Sequence, residues 1–189
     1  MCMRRTQRNI QNWLIMPREN HAVAYYPSNH VLINSLYKYI SQGVALGDSC
    51  LIISRPAIIN SLRPSLARGM YGKGTCTLLS AESVLEDILT DGMPDKNKFS
   101  KKIEKILSLN TKPRQKVRIY GEMGAMLLEQ SGGQAVSELE RLWSEYGKSR
   151  PLSLYCGYPL RLKNQKEEEL AEIDNQHKLS AVLPPSLYN

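Results

Sequence analysis

Two rhythms of apolar residues alternate along this chain: short, nearly continuous runs, and longer stretches whose apolar positions recur at helical spacing. The first rhythm predicts strands and the second amphipathic helices. Strands are predicted at His21–Tyr26, Ser49–Ser54, Thr75–Leu79, Val117–Glu122 and Leu152–Tyr158. After the first strand stops at Pro27, Ser28 or Asn29 can cap a helix carrying Val31, Leu32, Ile33, Leu36, Tyr37 and Ile40, closed by Gly43 and Gly47. A second helix, over about 57–68, stacks Ile58, Ile59 and Leu62, and Pro64 is expected to shorten or bend it. A third, over 96–109, buries Phe99, Ile103, Ile106 and Leu107. A short helix is read at 125–130, then a break at Ser131–Gly132–Gly133 and a longer helix at 135–146. The stretch 81–89 reads as an excursion before the turn Asp91–Asp95, and 163–177 as a last helix or a tail. Strands alternating with helices predict an α/β fold in three layers, a mostly parallel sheet of about five or more strands flanked by helices.

Composition narrows the class. A chain of 189 residues builds one domain with a real core. Its 42% hydrophobic and 23% charged content is that of a soluble globular protein. Cys2, Cys50, Cys76 and Cys156 are scattered, with no Cys-x-x-Cys pair, and three of them fall in apolar runs. That pattern predicts free thiols and a reducing, cytoplasmic setting. No apolar run has the length of a membrane span, and no signal-peptide core is present near the start. The net charge of +7 comes largely from a basic arm (Arg4, Arg5, Arg8, Arg18) and from Lys96, Lys98, Lys101, Lys102 and Lys105. Asp91, Asp95 and Glu104 interleave with the lysines, the pattern of a solvated helix face. No zinc-finger, RNP-type or basic-zipper pattern occurs, so specific nucleic-acid binding is not expected. Electrostatic attraction to an anionic partner remains open.

The chemistry centres on Glu122, a carboxylate at the end of an apolar strand between Gly121 and Gly124. In a parallel sheet it shares the carboxyl edge with Tyr25, Tyr26, Ser54, Arg55, Ser80, Glu82 and Cys156 to Tyr158, the edge where open α/β sheets bind ligands. Arg55 is the expected partner of Glu122. The pair serves equally well as a structural brace or as the polar anchor of a small-molecule pocket walled by Tyr25, Tyr26, Met123 and Tyr158. Catalysis and cofactors are not indicated: Gly-x-Ser-x-Gly is absent, and no Ser-His-acid context appears. The histidines show no metal-ligand spacing and read as structural or surface residues, and Cys156 reads as an inert thiol. The phosphate-loop lookalike from Gly69 to Thr75 fails twice, since Gly74 stands where Ser or Thr is needed and the segment precedes a strand.

These residues resemble a known family. The order His21–Tyr26, Gly43–Asp48, a helix beginning at Pro56, Asp91–Asp95 with Phe99, Arg118–Met123, Leu154–Tyr158, then His177 and Val182–Leu183–Pro184 is similar to the methanogen/methylotroph sensory (MEDS) domain. The resemblance covers about residues 18 to 185. The basic arm then spans 1–18, and the resemblance implies one sensory domain over 19–185 and a RecA/KaiC-like core without a working phosphate loop. It also implies a small organic ligand. Because no length remains for an output module, signalling is expected to pass through a protein partner or self-association. The rival expectation is a protein-interaction module that binds no ligand.

Overall fold

A computed structural model of the chain describes residues 21–66, 75–148, 150–177 and 179–184. The basic arm and the lookalike stretch 69–74 lie outside the described residues. The chain runs β1 (His21–Tyr26), α1 (Asn29–Ala45), β2 (Ser49–Ser54), α2 (Pro56–Leu66), β3 (Cys76–Ser80) and α3 (Ala81–Ile88). A hairpin of β4 (Leu89–Thr90) and β5 (Met93–Pro94) leads to α4 (Lys96–Asn110), β6 (Val117–Gly121), α5 (Met123–Gln130) and α6 (Gly133–Gly147). Then follow β7 (Leu152–Pro159), α7 (Leu160–Gln165), α8 (Glu167–Gln176) and β8 (Leu179–Val182).

Among the described residues six strands pair in the order β3-β2-β6-β7-β1-β8, every neighbouring pair parallel. The three-layer α/β architecture read from the sequence is present. Two expectations change. The stretch after β3 is a helix, started by the Ser80 side chain accepting from the Ser83 amide at 3.4 Å. It ends in the β4–β5 hairpin, where Asp91 and Gly92 both take positive φ, 51° and 77°, the backbone that a tight hairpin turn requires. The 163–177 stretch forms α7 and α8, and the chain then adds a sixth strand that its weak apolar pattern did not announce.

Local chemistry explains the helix starts. Ser28 caps α1 through the Val31 amide at 3.3 Å, and the Asp95 carboxylate caps α4 through the amides of Asn97 and Lys98, both at 2.9 Å. Pro64 sits inside α2, which continues to Leu66. The α4 lysines lie on an exposed face, with Lys102 paired to Asp87 and Lys96 to Glu145.

The sheet divides the core in two. Helices α1 and α2 cover one face, with Ala22, Ala24, Tyr26, Ile52, Tyr120 and Tyr155 beneath them. Helices α3 to α8 cover the other, over Val23, Tyr25, Leu51, Ile119, Cys156 and Tyr158. Side chains alternate between faces along each strand, so neighbours in sequence enter different cores. Burying each Leu, Ile or Val here contributes about 1.5–3 kcal/mol. Cys50, Cys76 and Cys156 are buried free thiols, as the sequence predicted. Burial pushes the first two up to about 12, so they remain protonated.

One charged pair is built into the first core. Arg118 of β6 donates to Asp48 at 2.8 Å and lies over the Tyr39 ring. The α1 backbone can reach this pair because residue 43 is glycine: a Cβ there would stand 2.6 Å from Cys50 Sγ and 2.8 Å from Arg118 Cδ.

Candidate functional site

The strand order puts β1 beside β7 and β2 beside β6, and in each pair the following helices leave on opposite faces of the sheet. A crevice opens at such a junction, outside the carboxyl ends of the strands. Here it has a volume of about 330 Å³ and is lined by residues at or just after the ends of β1 (Tyr26 to Asn29), β2 (Arg55, Ala57, Ile58) and β7 (Pro159 to Arg161).

Glu122 lies behind this crevice, fully buried, as the N-cap residue of α5. Tyr26 donates its hydroxyl to Glu122 Oε1 at 2.6 Å, Ser54 donates to Oε2, and the Arg55 amide reaches Oε2 at 3.2 Å. Burial together with the Glu122 carboxylate holds the Tyr26 phenol well above its ordinary range, so it stays a donor. The expected Arg55–Glu122 pair exists, but at 3.8 Å from Nε to Oε1 it is the looser of two. The closer partner is Glu129 of α5, 3.0 Å from Arg55 Nη1, and Glu129 also binds Arg161. Burial disfavours the Arg55 charge, and Glu129 and Glu122 outweigh it. Arg55 Nε and Nη2 are buried and make no hydrogen bond among the described residues. The sequence reading missed Glu129 and Arg161. Arg161 follows the same β7 tip already singled out, and that position was the available signal.

Three predicted wall residues are not in this crevice. Tyr25, Met123 and Tyr158 belong to the opposite face of the sheet, among the side chains under α3 to α8. The cause is strand parity: Tyr26 enters one core and Tyr25, one residue earlier, the other. Tyr25 donates to Asp174 at 2.7 Å, with Lys163 over its ring at 3.9 Å. Tyr158 donates to Glu140 of α6 at 2.5 Å. Ser80 and Glu82 bond to each other at the β3 edge.

Under that second face the fold assembles what spacing did not reveal. His21, Glu140, Cys156 and His177 are all buried, and four of their ligand-type atoms lie within 4.8 Å of one another. Among the described residues these form one set able to hold a metal ion. Glu140 Oε2 is the hub, 3.1 Å from His21 Nε2, 3.4 Å from His177 Nε2 and 3.4 Å from Cys156 Sγ. Burial alone would raise Glu140, yet the two imidazoles hold it well below the usual carboxylate range. Burial lowers His21, whereas Glu140 outweighs burial and raises His177. Burial, reinforced by Glu140, pushes the Cys156 thiol well up. Gly124, singled out as a neighbour of Glu122, serves this second cluster. A Cβ there would stand 2.1 Å from the Tyr158 hydroxyl and 2.9 Å from Glu140 Oε1.

Residues 20–178 match the family model described as MEDS, the methanogen/methylotroph, DcmR sensory domain. The chain belongs to the MEDS family. MEDS is a family of sensory domains, and the matched span begins and ends beside His21 and His177, so it encloses both the crevice and the buried cluster. A solved structural-study target from Pyrococcus horikoshii OT3 shares the fold, with a TM-score of 0.60 at 8% identity, covering 94% of this chain and 89% of that one. No curated protein matches this MEDS chain. Among the described residues no helix is long and apolar enough to cross a membrane.

Proposed function

We propose that this MEDS chain is a cytoplasmic sensory domain that binds a small organic molecule, one bearing a carboxylate or similar anionic group, in the strand-tip crevice. The observation that carries this reading is the polarity of the hollow. Arg55 and Arg161 border it, and Arg55, 27% exposed, keeps two donors, Nε and Nη2, that are shut from solvent and have no hydrogen-bond acceptor among the described residues. The capped N-terminus of α1 adds its own positive end. Ile58, Pro159 and Leu160 supply the apolar wall that a short carbon chain would cover. A volume of about 330 Å³ suits a small ligand, within the usual range of about 300–1,000 Å³.

Glu122 is then a hidden brace: it holds Tyr26 and Ser54 in place and keeps the Arg55 backbone fixed while the guanidinium reads the ligand. The family resemblance carries the further expectation of a RecA/KaiC-like core. The glycine-free turn from Tyr26 to Asn29 supports recognition by side chains and helix ends in place of a phosphate loop. Signalling follows if the ligand binds one surface state better than another, read by a protein partner or a second copy.

A thermal-shift panel of short carboxylates and their neutral amides tests this. At a ligand concentration of about 100 times Kd, binding to the native state stabilises it by about 2.7 kcal/mol. Carboxylates should raise the melting temperature of the wild type and leave Arg55→Gln unmoved. A panel in which no member stabilises the wild type would overturn the reading.

A further inference from the structure

We propose that His21, Glu140, Cys156 and His177 form a closed tetrahedral site for one divalent ion of the zinc class. This site lies on the other face of the sheet from the crevice and owes nothing to it. The four ligands come from four places: the first residue of β1, the middle of α6, the middle of β7, and the residue after α8.

Three observations support it. The first is spacing. Zinc bonds of about 2.0–2.1 Å to nitrogen or oxygen and 2.3 Å to sulfur place tetrahedral ligand atoms roughly 3.3–3.6 Å apart. Four of the six separations here are 3.1 Å between His21 Nε2 and Glu140 Oε2, 3.3 Å between His21 Nε2 and Cys156 Sγ, and 3.4 Å from Oε2 to both Sγ and His177 Nε2, and the whole set lies within 4.8 Å. Two histidines also lie ring to ring, with centroids 4.1 Å apart, an approach that a shared cation would make favourable.

The second is the outer ring of partners. Three of the four ligands, the two histidines and Glu140, have their other polar atom held from behind, as metal ligands do. His177 Nδ1 donates to the Ile173 carbonyl at 2.7 Å, His21 Nδ1 meets Ser144 Oγ at 3.1 Å, and Glu140 Oε1 accepts from Tyr158 at 2.5 Å. The Ile173 bond fixes a proton on Nδ1 and leaves Nε2 to face inward. Among the described residues that buried Nε2 makes no hydrogen bond of good geometry, and Glu140 Oε2 stands 3.4 Å away.

The third is charge. A thiolate and a carboxylate cancel a divalent cation, so the filled site is neutral, which burial demands. On binding, the Cys156 S–H bond gives way to a sulfur–metal bond and the proton leaves to water. Two imidazoles, a thiolate and a carboxylate suit zinc, whereas magnesium and calcium prefer all-oxygen sets. Four protein ligands fill the tetrahedron, so the ion acts as a staple between the start of β1 and the C-terminal end of α8.

Cobalt substitution reads the site directly. Metal-free wild type titrated with Co²⁺ should develop a thiolate-to-cobalt charge-transfer band and intense tetrahedral ligand-field bands. They should saturate at one ion per chain and be bleached by Zn²⁺. Cys156→Ser should lose the charge-transfer band, whereas Cys2→Ser, Cys50→Ser, Cys76→Ser and Arg55→Gln should retain it. Tyr158→Phe keeps all four ligands and removes one outer partner, so its affinity should fall about 10–100-fold. That variant and the wild-type titration decide the matter if Cys156→Ser does not fold. A folded wild type that gives no such band holds only a metal-free ion-pair network, and the proposal fails. It also fails if the band survives in Cys156→Ser.

Discussion

Glu122 shows what one buried carboxylate does for its neighbours. Two hydroxyls and one backbone amide depend on it, from the ends of β1 and β2 and the residue after β2. Glu122→Ala leaves them without an acceptor and Arg55 without one of its counter-charges. A loss of about 3–5 kcal/mol is expected by urea denaturation, the range for breaking a buried pair from one side. Glu122→Gln keeps the shape but offers donors to groups that are themselves donors, so about 1–3 kcal/mol should be lost. Equal effects from the two substitutions would show that volume, not acceptance, is what the site needs.

At this scale the sequence was half legible. Arg55 and Glu122 could be paired on paper because both follow the ends of strands that prove adjacent. The alternation that separates Tyr25 from Tyr26 was equally readable, and applying it would have grouped His21, Tyr25, Cys156 and Tyr158 on one face. The metal-type cluster itself was not. His21 and His177 stand at opposite ends of the domain, and Glu140 looks like an ordinary charge on an amphipathic helix until α6 is docked on the sheet.

Elements were read best where their rhythm is strong. β1, β2 and β6 carry long apolar runs, and their bounds match the expectation closely. β8 was missed because its side chains are only half-buried or exposed, so nothing apolar marks it. It forms because β1 offers a free edge: Ala22 to Tyr25 pair with Leu179 to Val182, and the Leu183 amide reaches the Tyr25 carbonyl at 2.9 Å. Asp174 at the end of α8 gathers this corner, accepting from Tyr25 at 2.7 Å and from Lys163 and Ser180 at 2.9 Å. Asp174→Ala should therefore loosen α8 and β8 together. Hydrogen exchange over residues 167–183 is expected to speed up severalfold while β2 and β6 stay protected, because local openings need only local contacts to fail. Uniform acceleration across the sheet would mean that the corner is not a separate unit.

On the scale of the molecule, the first strand is flanked by the last two: β1 lies between β7 and β8, so the sheet closes only when the C-terminal elements arrive. The same elements cover α6, with Leu170 and Ile173 of α8 buried against it and His177 placed beside Glu140. Those two apolar side chains together are worth about 3–6 kcal/mol. A domain's whole margin is about 5–15 kcal/mol. A chain ending at residue 165 also leaves Glu140 and Tyr25 without His177 and Asp174 and bares the β1 edge. It should show no cooperative thermal transition by circular dichroism. A chain ending at residue 178 loses β8 but keeps α8 and His177, so it should still melt cooperatively, at a lower temperature. Each 1 kcal/mol lost shifts the midpoint by about 2–4 °C for a chain of this size. If the shorter chain melted within a few degrees of the full one, α8 would be an appendage, and the tie between the two ends of the domain would carry no stability.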